Sequence, residues 1–283
     1  MKYPGSKYDS LDELLPHLPH RGSFIDVFGG SGTVLFNRPA SKLDVYNDRY
    51  GGICAFYRAL RDHPRKLCQR LEVIVHSREE WEWCLRTWEH EPISISEEAL
   101  CLYDGKISQE DMELVERAAR WYYMVQNSFV GLGRSFARVT KPTTGVAGVI
   151  ANKLDSFWPI HQRLKRVQIE NLDWRDCLND FDNEQAVFYL DPPYFNADMS
   201  GYTHKMPMED HIELCTRIMS LKGFVALSGY PNEIYDQFTW DKKVSWGRRD
   251  RANGMATSEY NNRSEVGQRG ILTEMLWIKE ARP

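Results

Sequence analysis

Residues 23–63 spell one phrase twice: an apolar run, a turn, then a segment striped with apolar residues. "SFIDVFGGSGTVLF" (23–36) opens it. "KLDVYNDRYGGICAFYRALRDH" (42–63) answers it, with Leu43–Tyr46 extended and Ile53, Phe56, Tyr57 and Leu60 at helical spacing. This is the opening of a βαβ unit, and it commits the chain to an α/β fold with a parallel sheet. Four more short runs read as strands: "VQIEN" (167–171), "AVFYL" (186–190), "FVALSG" (224–229) and "EMLWIKE" (274–280). A helix is expected over 207–221, with Ile212, Cys215 and Ile218 on one face.

Residues 76–165 interrupt this rhythm. Ser77 and Glu80, and again Ser108 and Asp111, stand three apart before helical patterns, the spacing of N-terminal caps. The expectation is a helical subdomain at 76–165 inserted into a domain made of 1–75 and 166–283, with Trp81, Trp83 and Trp88 in its core. Apolar runs stay well short of the roughly 20 residues that span a bilayer, and "MKYPGSKYDS" lacks the apolar core of a signal peptide. The six cysteines are scattered without a C-x-x-C pair, as suits reduced thiols in a cytoplasmic protein. They imply no metal site. Neither a membrane nor an obligate protein partner is suggested.

The chemistry begins at "LDPPYF" (190–195). Two prolines cannot continue a sheet ladder, so the strand stops there, and they fix the backbone that follows Asp191. A stiff loop then presents a carboxylate, two carbonyls and an aromatic ring at the carboxyl end of a strand, where open α/β sheets bind ligands. A second such end carries Gly30 and Gly32, two apart after a strand, and Asp48 sixteen residues further on. Close backbone approach beside an acid that can take two ribose hydroxyls reads as a nucleoside site. The net charge is −4, yet residues 127–154 hold Arg134, Arg138, Lys141 and Lys153 with no acid. Residues 242–270, read as a loop, hold seven basic residues against three acidic, among them Arg248, Arg249 and Arg251. Two basic segments on an acidic body suit a polyanion.

Taken in order, these motifs resemble the Dam-type DNA adenine methyltransferase family nearly end to end. "YPGSK" (3–7) is similar to its N-terminal motif, "DVFGGSGTV" (26–34) to its glycine motif, "YND" (46–48) to its acidic turn, and "YLDPPY" (189–194) to its catalytic motif. The resemblance implies a Rossmann-like methyltransferase sheet, mostly parallel with a closing antiparallel strand. It implies methyl transfer from S-adenosyl-L-methionine to the 6-amino group of adenine in double-stranded DNA, inside a bacterial or phage-infected cell. Tyr3, Lys7, Asp26, Phe28, Gly30, Gly32, Asp48, Asp173, Trp174 and Asp191 are the implied cofactor contacts. Asp191, Pro192, Pro193 and Tyr194 are the implied catalytic loop, with Tyr194 a face for the flipped base. "VGLGRSF" (130–136) resembles a guanine-reading turn with Arg134 as the reader, although the family's GATC readers carry asparagine where Val130 stands. Arg138, Lys141, Arg248, Arg249 and Arg251 are expected on phosphates.

The chemistry supports the loop independently. Adenine's amino lone pair is delocalised into the ring. Acceptors for both amino hydrogens, the Asp191 carboxylate and the Pro192 carbonyl, favour a pyramidal nitrogen and stabilise its developing charge. An amino-methyltransferase of RNA or protein glutamine, or a silent DNA-binding relative, would carry a similar loop. Asp at 191 and the two basic segments favour DNA.

Overall fold

A computed structural model of the chain describes residues 5–90, 93, 107–128, 131, 133–137, 155–195, 206–249 and 271–282. In chain order the elements are α1 (Leu11–Leu14), β1 (Ser23–Asp26), α2 (Thr33–Phe36), β2 (Leu43–Asn47), α3 (Gly51–Asp62), α4 (Pro64–Glu72), α5 (Arg78–Thr87) and α6 (Gln109–Gln126). There follow α7 (Phe157–Leu164), β3 (Val167–Glu170), α8 (Trp174–Phe181), β4 (Ala186–Leu190), α9 (Met208–Ser220), β5 (Phe224–Gly229), α10 (Glu233–Asp236), β6 (Lys242–Arg249) and β7 (Ile271–Lys279). The fold is mixed α/β, and the chain packs as two compact units, one of residues 1–6 and 50–171, the other of 7–49 and 172–283. No helix among the described residues is long and apolar enough to cross a membrane.

The second unit carries a sheet with its strands in the order β2-β1-β4-β5-β7-β6. The first four are parallel, with Ser23 opposite both Leu43 and Ala186, and Val187 opposite Phe224. β7 runs antiparallel to β5, and β6 antiparallel to β7. Every residue of β1, β4 and β5 is buried, which is why these strands read as unbroken apolar runs. One face of the sheet packs Ile25, Phe188, Leu190, Val225 and Leu227 against Trp174 and Leu178 of α8 and Leu214 and Ile218 of α9.

Two expectations need correction here. Ile212 is exposed, and α9 buries His211, Leu214, Cys215 and Ile218 instead. That set follows the i, i+3, i+4, i+7 stripe of a helix, and Ile212 lies off it. The segment at 242–270 is not loop at its start. β6 alternates half-buried Val244 and Trp246 with exposed Lys243 and Ser245, the period-2 pattern of an edge strand. Its charge had masked that period.

The other unit is helical. Ser77 accepts from the Glu80 amide at 3.0 Å and Ser108 from the Asp111 amide at 3.1 Å, so both expected caps form. α6 is its centre: Phe56 of α3 stacks on Tyr122 at 4.8 Å, and the Trp81 indole of α5 donates to the Met124 carbonyl. Gly52 lies so near Trp121 that a Cβ would come within 2.2 Å of the indole. Trp81 and Trp88 are buried, and Trp83 lies half-buried under the Arg120 guanidinium. The unit starts before residue 76 because α3 and α4 bury their apolar faces in it.

Candidate active site

Three acids end three adjacent parallel strands. Asp26 is the last residue of β1, Asp48 follows β2, and Asp191 follows β4. β1 lies between β2 and β4, and the strand order reverses direction here, the position at which an open α/β sheet leaves a ligand crevice.

The glycine turn leans on β2. The Gly30 amide donates to Asp48 Oδ2 at 2.8 Å, the Tyr46 hydroxyl donates to the Gly30 carbonyl at 2.6 Å, and the Gly29 amide to the Asn47 carbonyl at 2.7 Å. Gly32 has φ +62°, and a Cβ there would sit 2.4 Å from the Phe36 ring, so the turn into α2 requires glycine. Phe28 is half-buried against the core. Asn47, which the motif reading had passed over, is almost fully buried. Its amide donates to the carbonyls of Val27 and Leu172, and its oxygen accepts from the Leu172 amide at 2.8 Å. One side chain thus ties the glycine turn, Asp48 and the 172–173 turn into a single frame.

Asp173 and Trp174 have other attachments. Asp173 caps α8, accepting from the Arg175 amide at 3.0 Å, and pairs with Arg49 and with the Arg175 guanidinium. Trp174 lies in the core with Arg175 4.3 Å above its ring.

The catalytic-loop side chains meet a cluster that motif reading had only half found. Lys7 is buried, and its ammonium donates to Asp191 Oδ2 at 2.5 Å and to the Tyr194 hydroxyl at 2.5 Å. It also lies 3.5 Å from Glu274 Oε1. The Tyr194 hydroxyl donates to Glu274, as does Ser228 Oγ at 3.0 Å. Pro192 is buried and Pro193 half-buried, and the Tyr194 ring meets Tyr230 edge-on at 4.4 Å. Burial raises the Asp191 pKa, Lys7 opposes that rise, and Glu274 adds to it. Asp26 is pushed well above the usual carboxylate range, first by burial and then by Asp191 and Asp48. Among the described residues, Asp191 Oδ1 is buried and accepts no hydrogen bond. A buried acceptor of this kind is expensive unless a ligand donates to it. Glu274 and Ser228 had one sequence signal, polar residues inside otherwise apolar strands.

In the helical unit, Arg134 is exposed on a turn closed by a Ser128–Phe136 bridge and by the Gly133 amide, which donates to Ser128 Oγ at 2.7 Å. Gly131 and Gly133 take φ of 78° and 67° to shape it. Arg248 and Arg249 lie on β6 opposite Leu272 and Ile271. Tyr3, Arg138, Lys141 and Arg251 lie outside the described residues.

A doubly wound sheet with an acid-lined crevice and a buried D-P-P-Y loop defines the class, a Rossmann-like methyltransferase. The chain belongs to the D12 class N6 adenine-specific DNA methyltransferase family, which it matches over residues 3–236. It is also 25% identical, over 286 aligned residues, to the Type II methyltransferase M1.LlaDCHI of Lactococcus lactis subsp. cremoris, an alignment covering 94% of this chain and 92% of that protein. The protein is an adenine-specific DNA methyltransferase.

Proposed function

We propose that the enzyme methylates the 6-amino group of an adenine turned out of duplex DNA, with S-adenosyl-L-methionine as donor and Asp191 as the central acceptor. The observation that carries this reading is Asp191 Oδ1, a buried carboxylate oxygen at the carboxyl end of β4 that accepts no hydrogen bond from the described residues. The residues fit the cofactor. Gly32 leaves no room for a side chain in the turn, and Asp48 stands at the end of β2 with its Oδ2 on the Gly30 amide. When bound, S-adenosyl-L-methionine supplies an electrophilic sulfonium methyl group.

The chain's own residues do the rest. Oδ1 of Asp191 and the Pro192 carbonyl take the two amino hydrogens, so the nitrogen becomes pyramidal and its lone pair is released. Lys7 holds Oδ2, which fixes the carboxylate plane. The prolines hold both acceptors rigid, which places the nitrogen for in-line attack without reorganisation. As the nitrogen gains a bond its N–H becomes acidic, and the proton passes to Asp191. Adenine must leave the stack to reach a buried acceptor. Glycine turn and Asp48 together take the cofactor's methionine and ribose portions, and Arg134 reads a base edge. The match to a Type II methyltransferase supports a restriction-modification setting.

Incubation of the purified enzyme with methyl-labelled S-adenosyl-L-methionine and unmethylated DNA tests the reading. Label recovered as N6-methyladenine from duplex, with little from denatured strands, is the expected result. Equal labelling of denatured strands would remove duplex recognition and base flipping from the account.

A further inference from the structure

Glu274 is fully buried on the antiparallel strand β7, one residue beyond the Met275–Gly229 pair and so at the carboxyl end of β5. An acid there without a purpose would be replaced at little cost by an apolar residue. Its Oε1 instead accepts from Tyr194 and from Ser228, and it stands 3.5 Å from the Lys7 ammonium. Among the described residues Lys7 therefore faces two carboxylates, Asp191 and Glu274, which share its ammonium.

That stoichiometry has a chemical consequence. A carboxylate that owns an ammonium outright is a weak acceptor, because its charge is already compensated. A carboxylate that shares one keeps more of its negative potential. Tyr194 reinforces the sharing, since it accepts from Lys7 and donates to Glu274, so its hydroxyl links the two across the cluster.

We infer that Glu274 is a positioning residue of the methyl-transfer site: by drawing part of the Lys7 ammonium away from Asp191, it keeps Asp191 an effective acceptor for the adenine amino group. The inference rests on the role proposed for Asp191. Six ionisable groups face or sense Asp191: Lys7, Tyr194 and Glu274 directly, and Asp26, Tyr189 and Tyr235 from β1, β4 and α10. Of these, Glu274 raises the Asp191 pKa and Lys7 lowers it. Asp191 is a strong acceptor, and can take the proton, only when ionised, so activity falls as pH drops through its pKa. Glu274→Gln removes the raising charge and the competing carboxylate on Lys7, which moves that acid limb to lower pH. The plateau rate falls at the same time, because the compensated carboxylate is a poorer acceptor.

The experiment is single-turnover transfer of labelled methyl to unmethylated duplex DNA across a pH series, for wild type, Glu274→Gln, Glu274→Asp and Asp191→Asn. For Glu274→Gln the expected result is a plateau about tenfold lower with the acid limb displaced downward by about one pH unit. A pH–rate profile superposable on wild type overturns the inference. So does a loss that is uniform at every pH, which is what a packing role alone would give. Should Glu274→Gln fail to fold, Glu274→Asp decides: it draws the carboxylate back by one methylene and moves the limb the same way by less. A limb that stays in place refutes the idea. Asp191→Asn separates the two levels of argument. If it is inactive while the Glu274 variants keep the wild-type profile, only the inference about Glu274 fails. If it remains active, the role proposed for Asp191 fails first.

Discussion

Each unit of the molecule holds an ionic cluster built around one shared group, and the two shared groups are of opposite charge. In the helical unit, Glu116 of α6 faces two cations: Arg70 of α4 at 2.5 Å, and Arg120 one turn along α6, itself stacked 4.1 Å over Trp83. In the sheet unit, Lys7 faces two carboxylates. The first cluster joins helices: its members span α4 and α6, and Arg120 also covers an α5 tryptophan. Among the described residues, the second leaves an oxygen of Asp191 without a partner at the rim of a sheet. Buried ion pairs are poor stabilisers relative to apolar packing, so what each cluster accomplishes must be asked locally. A shared acid ties one helix of the core to another. In the proposed mechanism, the Asp191 carboxylate at a strand end is an acceptor kept for a substrate.

The sharpest way to break this contrast is to remove the shared partner of the helical cluster. Glu116→Ala removes the acid that Arg70 and Arg120 share, and should cost about 3–5 kcal/mol of stability. Denaturant unfolding measures it, and a change under about 1 kcal/mol would show that the guanidinium groups reach solvent or other acceptors. Asp191→Ala should do the opposite. Lys7 keeps Glu274 and Tyr194, so stability holds, while methyl transfer falls about 10²–10³-fold, the scale of losing a preorganised acceptor. Retention of more than about a tenth of the wild-type rate is incompatible with the proposed mechanism.

Asp48 sharpens the comparison within the sheet unit, because its carboxylate is both a strut and a candidate ligand. Asp48→Ala should weaken S-adenosyl-L-methionine binding by about 1.5–3 kcal/mol, the range for charge-assisted hydrogen bonds. Asp48→Asn keeps an oxygen for the Gly30 amide and loses the charge. By titration calorimetry it should retain the turn and still lose most of that affinity. Equal and full affinity in both variants would take Asp48 out of the cofactor site.

What sequence could reveal divides along the same line. β1, β2, β4 and β5 were legible because each is a short, mostly buried and mostly apolar run, and the two serine caps because capping is a three-residue affair. Asp191 was legible because prolines fix a loop locally. Glu274, Ser228 and Asn47 were not, since their hydrogen-bond partners lie 20 to 125 positions away along the chain and only the strand order brings them together. The edge strand β6 was hidden by its lysines and arginines, which sheets use to protect an edge. Ile212 was assigned to the core from one apolar spacing where the true stripe runs through His211 and Leu214. Local rules reach what local geometry decides.

Arg134 gives the smallest and most selective expectation. It stands exposed on a turn whose shape is set by two positive-φ glycines and by Ser128, so the turn survives loss of the arginine side chain. A base-reading guanidinium contributes roughly 1–3 kcal/mol of discrimination at one position of its target. A phosphate-contacting one contributes to every sequence alike and adds about one unit to the salt slope. Arg134→Ala should therefore relax sequence choice and leave the salt dependence of binding almost unchanged. The paired Arg248→Ala, Arg249→Ala change on β6 should flatten that dependence and preserve the ranking of sequences. Binding to cognate and singly substituted duplexes over a salt series separates the two. If Arg134→Ala lowers affinity for every duplex equally and reduces the slope, this turn anchors the phosphate backbone, and the base-reading element belongs elsewhere in the chain.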